Sequence, residues 1–370
     1  MQKSEAFRES LPVIITSLVN KIGTIGLSLV PLLLVERHFS TMQSSAVMSG
    51  IRSVMLFGTV LSGIISDSIG YKKSILLAYA FSAVGLILLP VQKTYVMIAV
   101  FGMIAQFGHT MGNTNLRLIL AHTVSRKNQK EAFGWIRVVN NLGQVFSYLL
   151  AMFVSSLGIP FLMIFDGLTS IAAFFYGMKS LPSGKSEAVL ADEKTQSGSG
   201  ATELFPFIAF ALVVSIWSFL YDLFFVGVAA KIKVIYPADG IRYFAIVMFV
   251  NTIICAGLAV WSTRVFKDAV KSFGLSLLLT VAGIAIALFA VQDLRFVILG
   301  SLLATFGEVI YGAVAHFVLI RLNPGRKRAG LYYSNALFVA NLGRILAAAV
   351  CFPLIVYTEN YSLIAWLMAA

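Results

Sequence analysis

The sequence predicts an all-α membrane protein of twelve spans, arranged as two six-helix bundles with a short twelfth helix. Three observations carry this. The chain is 59% hydrophobic and 12% charged, with a mean hydropathy of +0.89; a globular domain carries about 25% charged residues. Its apolar residues fall into eleven blocks of about 18–27, with a partial twelfth, the length that crosses a hydrocarbon core. In lipid each backbone polar group needs an internal partner, so these blocks are helices; the ten-residue alternating segments of a β-barrel are missing. Finally, the second half repeats the first at an offset of 200 residues: Arg126-Lys127 recurs as Arg326-Lys327, and Asn141-Leu142-Gly143 as Asn341-Leu342-Gly343. The expected organisation is a bundle over 1–180, a cytoplasmic linker over 181–203 and a second bundle over 204–370. The linker contains Ser-Gly-Lys-Ser and Ser-Gly-Ser-Gly and reads as flexible.

The net charge of +12 raises the question of a nucleic-acid partner, and its distribution argues against one. With the N-terminus in the cytoplasm, 18 of the 28 Lys and Arg fall in cytoplasmic segments, six fall outside and four lie within spans. This is the positive-inside asymmetry, and it sets the orientation. Cys255 and Cys351 lie in apolar spans with neither disulfide nor metal spacing. The first span is too long for a cleavable signal and has no small-residue cleavage site.

In chain order, residues 1–10 form an amphipathic lead. Span 1 (11–35) contains Asn20, Lys21 and Gly23, with Pro31 further on; a lysine ten residues inside a membrane helix must face protein or water. Spans 2 (44–66) and 3 (74–91) flank the sequence Gly63-Ile-Ile-Ser-Asp67-Ser-Ile-Gly70-Tyr-Lys72-Lys73. Its form, G-x-x-x-D-x-x-G-x-[KR]-[KR] after a second span, resembles the loop 2–3 signature of the major facilitator superfamily. The resemblance implies an inner gate made of Gly63, Asp67, Gly70, Lys72 and Lys73, with Gly63 admitting close backbone approach and Asp67 facing the start of span 11. The run Asn20–Thr24 with Pro31 resembles the first helix of the drug:proton antiporter branch.

Span 4 (94–115) carries Gln106, His109 and Asn113 on one helical face, read either as facing a cavity or as satisfied by a neighbouring helix. The branch often has an arginine in this helix, and none stands at the matching level. Span 5 (132–156) presents Arg137, Asn140, Asn141, Gln144 and Tyr148. Gly143 matches the family, but Ser147 and Tyr148 occupy the place of its Gly-Pro pair. Span 6 (159–180) has Asp166, read as a helix–helix hydrogen bond. Span 7 (204–229) contains Tyr221 and Asp222. Span 10 (295–319) carries Glu308 with Tyr311 on its face, and span 11 carries Asn341 and Arg344. Gly307-Glu308, Asn323-Pro324, Arg328, Gly330 and Tyr332 resemble the span 10–11 region of the drug:proton antiporters. The twelfth span is expected near 359–380, whereas the sequence stops at Ala370.

Four bases (Lys21, Arg52, Arg137, Arg344) and three acids (Asp166, Asp222, Glu308) therefore lie within spans, and intramembrane charges mark functional sites. Asp222 and Glu308 are the proton-coupling candidates; the competing reading makes them fixed counter-charges to Lys21 and Arg344. The bases favour an anionic or zwitterionic substrate, since charge-assisted contacts are strong in low dielectric. No G-x-x-x-x-G-K-[ST] loop is present, and the four histidines are scattered. The expected protein is a monomeric, cofactor-free, non-enzymatic carrier of a bacterial inner membrane. Its partners are the lipid bilayer, protons and a small molecule, exported by alternating access. The alternatives are an importer of a small organic anion or metal chelate, and a non-transporting sensor or assembly subunit.

Overall fold

The computed structural model describes residues 5–125, 128–182, 204–266, 268–321 and 329–356. The linker from 183 onward, the Arg126-Lys127 and Arg326-Lys327 repeats, Asn323-Pro324, Arg328 and the partial twelfth span lie outside the described residues. The side chains of Asp67, Arg137, Gly330 and Tyr332 do too. Among the described residues all regular structure is helical. Among the described residues nine stretches are long and apolar enough to cross a membrane, one of which, Val138–Ser180, holds two successive helices; Phe338–Leu354 is a shorter apolar helix. Large apolar side chains such as Phe57, Ile64, Phe153, Phe205 and Leu278 stand exposed, as a lipid-facing surface requires.

Contacts divide the chain into two units, Met1–Phe39 with Ala46–Ala188, and Ser40–Ser45 with Val189–Ala370. The first unit opens with α1 (Glu5–Lys21), a 3₁₀ turn (Gly26–Leu29) and α2 (Val30–Glu36). The predicted first span is thus a broken helix. Pro31 stands at the start of α2, where a missing N–H costs nothing. Next come α3 (Thr41–Ile69), α4 (Tyr71–Leu88), α5 (Tyr95–Thr123), α6 (Gln129–Val154) and α7 (Gly158–Ser180). The predicted α3–α4 loop shrinks to one residue: α3 runs through Asp67 to Ile69, and Gly70, at φ 83°, makes the whole connection. Only glycine takes that conformation without strain.

The second unit contains α8 (Leu204–Asp222), a π-helical segment (Leu223–Val228), α9 (Ala229–Ile235), α10 (Gly240–Val265), α11 (Ala269–Phe289), α12 (Leu294–Arg321) and α13 (Ala329–Cys351). Span 7 therefore continues six residues past its predicted end at 229. Lys231 and Lys233, assigned by sequence to an outer loop, are buried within it. The lysines cut the apolar run without ending the helix, because the Lys233 ammonium donates to the Pro237 carbonyl at 2.8 Å.

Small residues bring the helices together, as they do where lipid removes the hydrophobic drive between spans. A Cβ at Gly108 on α5 would meet the Ala78 carbonyl at 2.5 Å; one at Gly307 on α12 would meet the Ser276 carbonyl of α11 at 2.7 Å. Gly143 on α6 lies against Lys21 of α1, and Gly343 on α13 against the Ser215 backbone of α8. The repeat is thus legible in the packing of both the α4–α5 and α1–α6 contacts and their counterparts.

Candidate functional site

In the first unit the polar residues gather where the first span breaks. The last α-helical bond of α1 runs from Ile22 N to Leu18 O, and residues 23–25 close only short turns, with Thr24 N bonding Lys21 O and Ile25 N bonding Gly23 O. A buried backbone in lipid must find other partners, and α7 supplies them. Asp166 Oδ2 accepts from Gly26 N at 2.9 Å, Ser170 Oγ accepts from Asn20 Nδ2 at 2.9 Å, and Thr169 Oγ1 donates to the Asn20 carbonyl at 3.5 Å. On the other side Ser17 Oγ donates to Asn140 Oδ1 on α6 at 2.6 Å, and the Ser28 and Tyr148 hydroxyls stand 3.5 Å apart.

Lys21 is 3% exposed, and its ammonium makes no hydrogen bond among the described residues. Its electrostatic neighbours are Asp166, already engaged by Gly26, and His109 on α5. His109 in turn lies within range of Arg52 on α3. Gln106 turns to its own helix, donating to Thr110 Oγ1 at 3.1 Å, while Asn113, Asn141 and Gln144 are half-buried. The first unit thus collects three basic groups around a broken helix.

Its signature turn is knotted from behind by a residue the sequence reading passed over. Asn115, fully buried on α5, donates to Ser62 Oγ at 3.1 Å and to Ser74 Oγ at 2.9 Å, and accepts from Ser66 Oγ. One amide therefore ties α3 to α4 on both sides of Gly70. At Gly63, by contrast, an added Cβ would meet nothing within 4 Å. Lys72 is half-buried and Lys73 exposed.

In the second unit the centre is Glu308. Tyr221 OH donates to Oε1 at 3.3 Å and Asn251 Nδ2 to Oε2 at 2.9 Å; the same Asn251 nitrogen lies 2.9 Å from Thr305 Oγ1. Cys255 adds a further side-chain hydrogen bond. The Arg344 guanidinium sits over the Tyr221 ring, 5.8 Å from its centroid. Arg344 is also an electrostatic neighbour of Glu308. Trp217 stacks on Tyr221 at 5.0 Å and on Tyr311 of α12 at 3.6 Å, forming an aromatic stack that joins α8 to α12. Asp222 is 1% exposed and sits where α8 passes into the π segment, a distortion common at functional sites. Asn341 is half-buried on α13.

Sequence reasoning missed Asn251, Thr305, Cys255 and Trp217. The signal for Asn251 was present: a lone amide in the apolar run Phe249-Val250-Asn251-Thr252-Ile253 is costly in lipid unless partnered. Among the described residues no group of His, Cys, Asp and Glu could hold a metal.

Each unit builds its polar centre from corresponding helices. His109 follows the packing glycine Gly108, and Glu308 follows Gly307; Arg52 and Asn251 lie on the second spans of their halves. Many solved structures share the fold. A peptide transporter POT in complex with sulfate has TM-score 0.74 and 11% identity, covering 98% of this chain and 91% of that one. The D-xylose–proton symporter has TM-score 0.71 and 14% identity, covering 96% and 92%. The nucleoside transporter NupG has TM-score 0.70 and 15% identity, covering 98% and 95%. No curated protein sequence matches the chain significantly. The Major Facilitator Superfamily model matches residues 13–369, so the chain belongs to that superfamily and is a multi-pass membrane transporter of small molecules.

Proposed function

We propose that the protein is a proton-coupled carrier of the drug:proton antiporter type, exporting small anionic or zwitterionic organic molecules by alternating access. The observation that carries this reading is the setting of Glu308. A half-buried carboxyl group in a spanning helix, ringed by Tyr221, Asn251 and Cys255 and approached by Arg344, is the kind of intramembrane ionisable group that marks a proton path. Moving a proton on and off it changes the charge of the centre by one, which lets a proton gradient bias the carrier. Asp222 is the second candidate carrier of protons.

The bases give the substrate its character. Lys21, His109 and Arg52 in one unit and Arg344 in the other favour a molecule with a carboxylate or phosphate. Trp217, Tyr221 and Tyr311 offer aromatic faces to its apolar part. In this reading the protein works as a monomer in a bacterial inner membrane, with its N-terminus in the cytoplasm and its inner gate at Gly63–Lys73. One fold neighbour is by name a proton symporter, so import of a small organic anion is the second reading. The test is flux in proteoliposomes under an imposed pH gradient, with amphiphilic dyes and small carboxylates as probes. Proton-driven flux of either supports the reading, and its direction separates export from import. Flux indifferent to the pH gradient overturns proton coupling.

A further inference from the structure

We propose that Asp166 is a positioning residue: it holds the first span open at residues 22–25 and thereby fixes where Lys21 stands. In an unbroken helix the Gly26 N–H would bond the Ile22 carbonyl. Here it bonds Asp166 Oδ2 at 2.9 Å instead, while the Ile25 N–H closes a short turn on the Gly23 carbonyl. The carbonyl freed at Asn20 is taken by Thr24 Oγ1 at 3.1 Å, with Thr169 Oγ1, which also donates to the Asp166 carbonyl at 2.9 Å, standing 3.5 Å from it. Within one turn of α7, Asp166 and Thr169 thus meet a donor and an acceptor that the break exposes, and Ser170 holds the Asn20 side chain.

The α1 side of the contact is shaped to match. A Cβ at Gly23 would meet Thr169 Oγ1 and lie 2.8 Å from Asp166 Cα; one at Gly26 would lie 3.0 Å from Asp166 Oδ2. Both glycines admit α7 to the break. Residues 22–25, Ile-Gly-Thr-Ile, contain no proline that would force an interruption. The break is therefore imposed from outside, by a helix 140 residues away in sequence. Its consequence falls on the last residue before it, Lys21, which rests on Gly143 with 2.5 Å between the Lys21 Cβ and a Cβ built at Gly143.

The competing role for Asp166 is that of a counter-ion to Lys21. Two substitutions separate them. Asp166→Asn removes the charge but keeps an oxygen to accept from Gly26, whereas Asp166→Ala removes both. The experiment places both in a Lys21→Cys chain lacking Cys255 and Cys351, reconstituted in proteoliposomes. It reads the rate of modification at position 21 by an anionic methanethiosulfonate. The expected result is an Asp166→Asn rate within two-fold of the parent and an Asp166→Ala rate changed ten-fold or more. Hydrogen exchange of the segment 22–29 in the chain that retains Lys21 gives a second reading: protection unchanged by Asp166→Asn and altered by Asp166→Ala. Equal effects of the two substitutions, or no effect of either, overturn the proposal. If Asp166→Ala fails to assemble, Asp166→Asn alone decides through hydrogen exchange in the chain that retains Lys21: unchanged protection of 22–29 supports the cap and altered protection the counter-ion. The consequence for substrate rests on Lys21 being a substrate contact, but these readouts need no substrate, so the two ideas fail separately.

Discussion

The two units interrupt their first spans by different means. In the first, the chain leaves helical geometry altogether at residues 22–25, and a neighbouring helix supplies the missing partners through Asp166, Thr169 and Ser170. In the second, the helix widens at Leu223–Val228 into a π segment that keeps its own bonds and passes directly into α9. Lipid forbids unpaired backbone, and these are two solutions to that constraint. One draws on tertiary contacts, so its stability is shared between helices; the other stays within one helix. The charges differ as well. The first unit gathers Lys21, His109 and Arg52 within electrostatic range of one another, while the second sets Glu308 among the donors Tyr221 and Asn251 with Arg344 as its charged neighbour.

The largest expected effect on stability breaks the equivalence of the two packing glycines. A Cβ at residue 343 runs into the Ser215 backbone carbonyl, whereas one at residue 143 meets the Lys21 side chain first. The Lys21 Cβ moves only with its backbone, so both contacts are stiff; the closer one makes Gly343→Ala destabilising by about 1–3 kcal/mol and Gly143→Ala by less. Thermal unfolding in detergent orders the two; a larger fall for Gly143→Ala would contradict the packing described here.

The buried amides come next. Asn115→Ala removes the amide that joins Ser62, Ser66 and Ser74 behind the Gly70 turn, leaving Ser66 with Ser74 and Ser62 with the Met111 carbonyl, while Asn251→Ala removes a donor from Glu308 and Thr305. An unsatisfied buried polar group costs about 1–3 kcal/mol. Asn115→Ala should therefore lower the melting temperature at every pH, and Asn251→Ala should do so less while impairing transport more. A stability loss confined to Asn251→Ala would reverse the roles assigned to the two residues.

The smallest effect is expected at the α11–α12 turn. Hydrogen bonds from Arg295 hold the exposed Asp293 carboxyl below its ordinary value of 3.8. A depressed carboxylate stabilises above its unfolded value, and that contribution is lost only as pH falls through the folded one. Asp293→Asn should leave unfolding unchanged between pH 5 and 8, since exposed pairs contribute little. A clear fall in melting temperature over that range would show the turn to matter more than its exposure allows.

The sequence made the spans visible because lipid demands long apolar helices, and charged loops set them apart. The glycine turn was visible too, since Gly70 stands between an acid and two lysines. The break at residues 22–25 was not, because Ile-Gly-Thr-Ile is compatible with a helix and the residue that opens it lies on α7. Nor was the partnership of Glu308 with Asn251 and Tyr221, since hydrogen bonds between helices depend on rotation and register that an all-apolar periodicity does not encode. Lys231 and Lys233 were misplaced for the opposite reason: a charge ends an apolar run, yet a helix continues where a carbonyl receives it.

The most direct test of the account is proton-driven flux through Glu308→Gln in proteoliposomes, using whichever dye or carboxylate the intact protein moves. The amide preserves size and hydrogen-bonding capacity toward Tyr221 and Asn251 but cannot exchange a proton. The account predicts that downhill exchange persists while accumulation against a gradient is lost. Undiminished accumulation under the same pH gradient would contradict it.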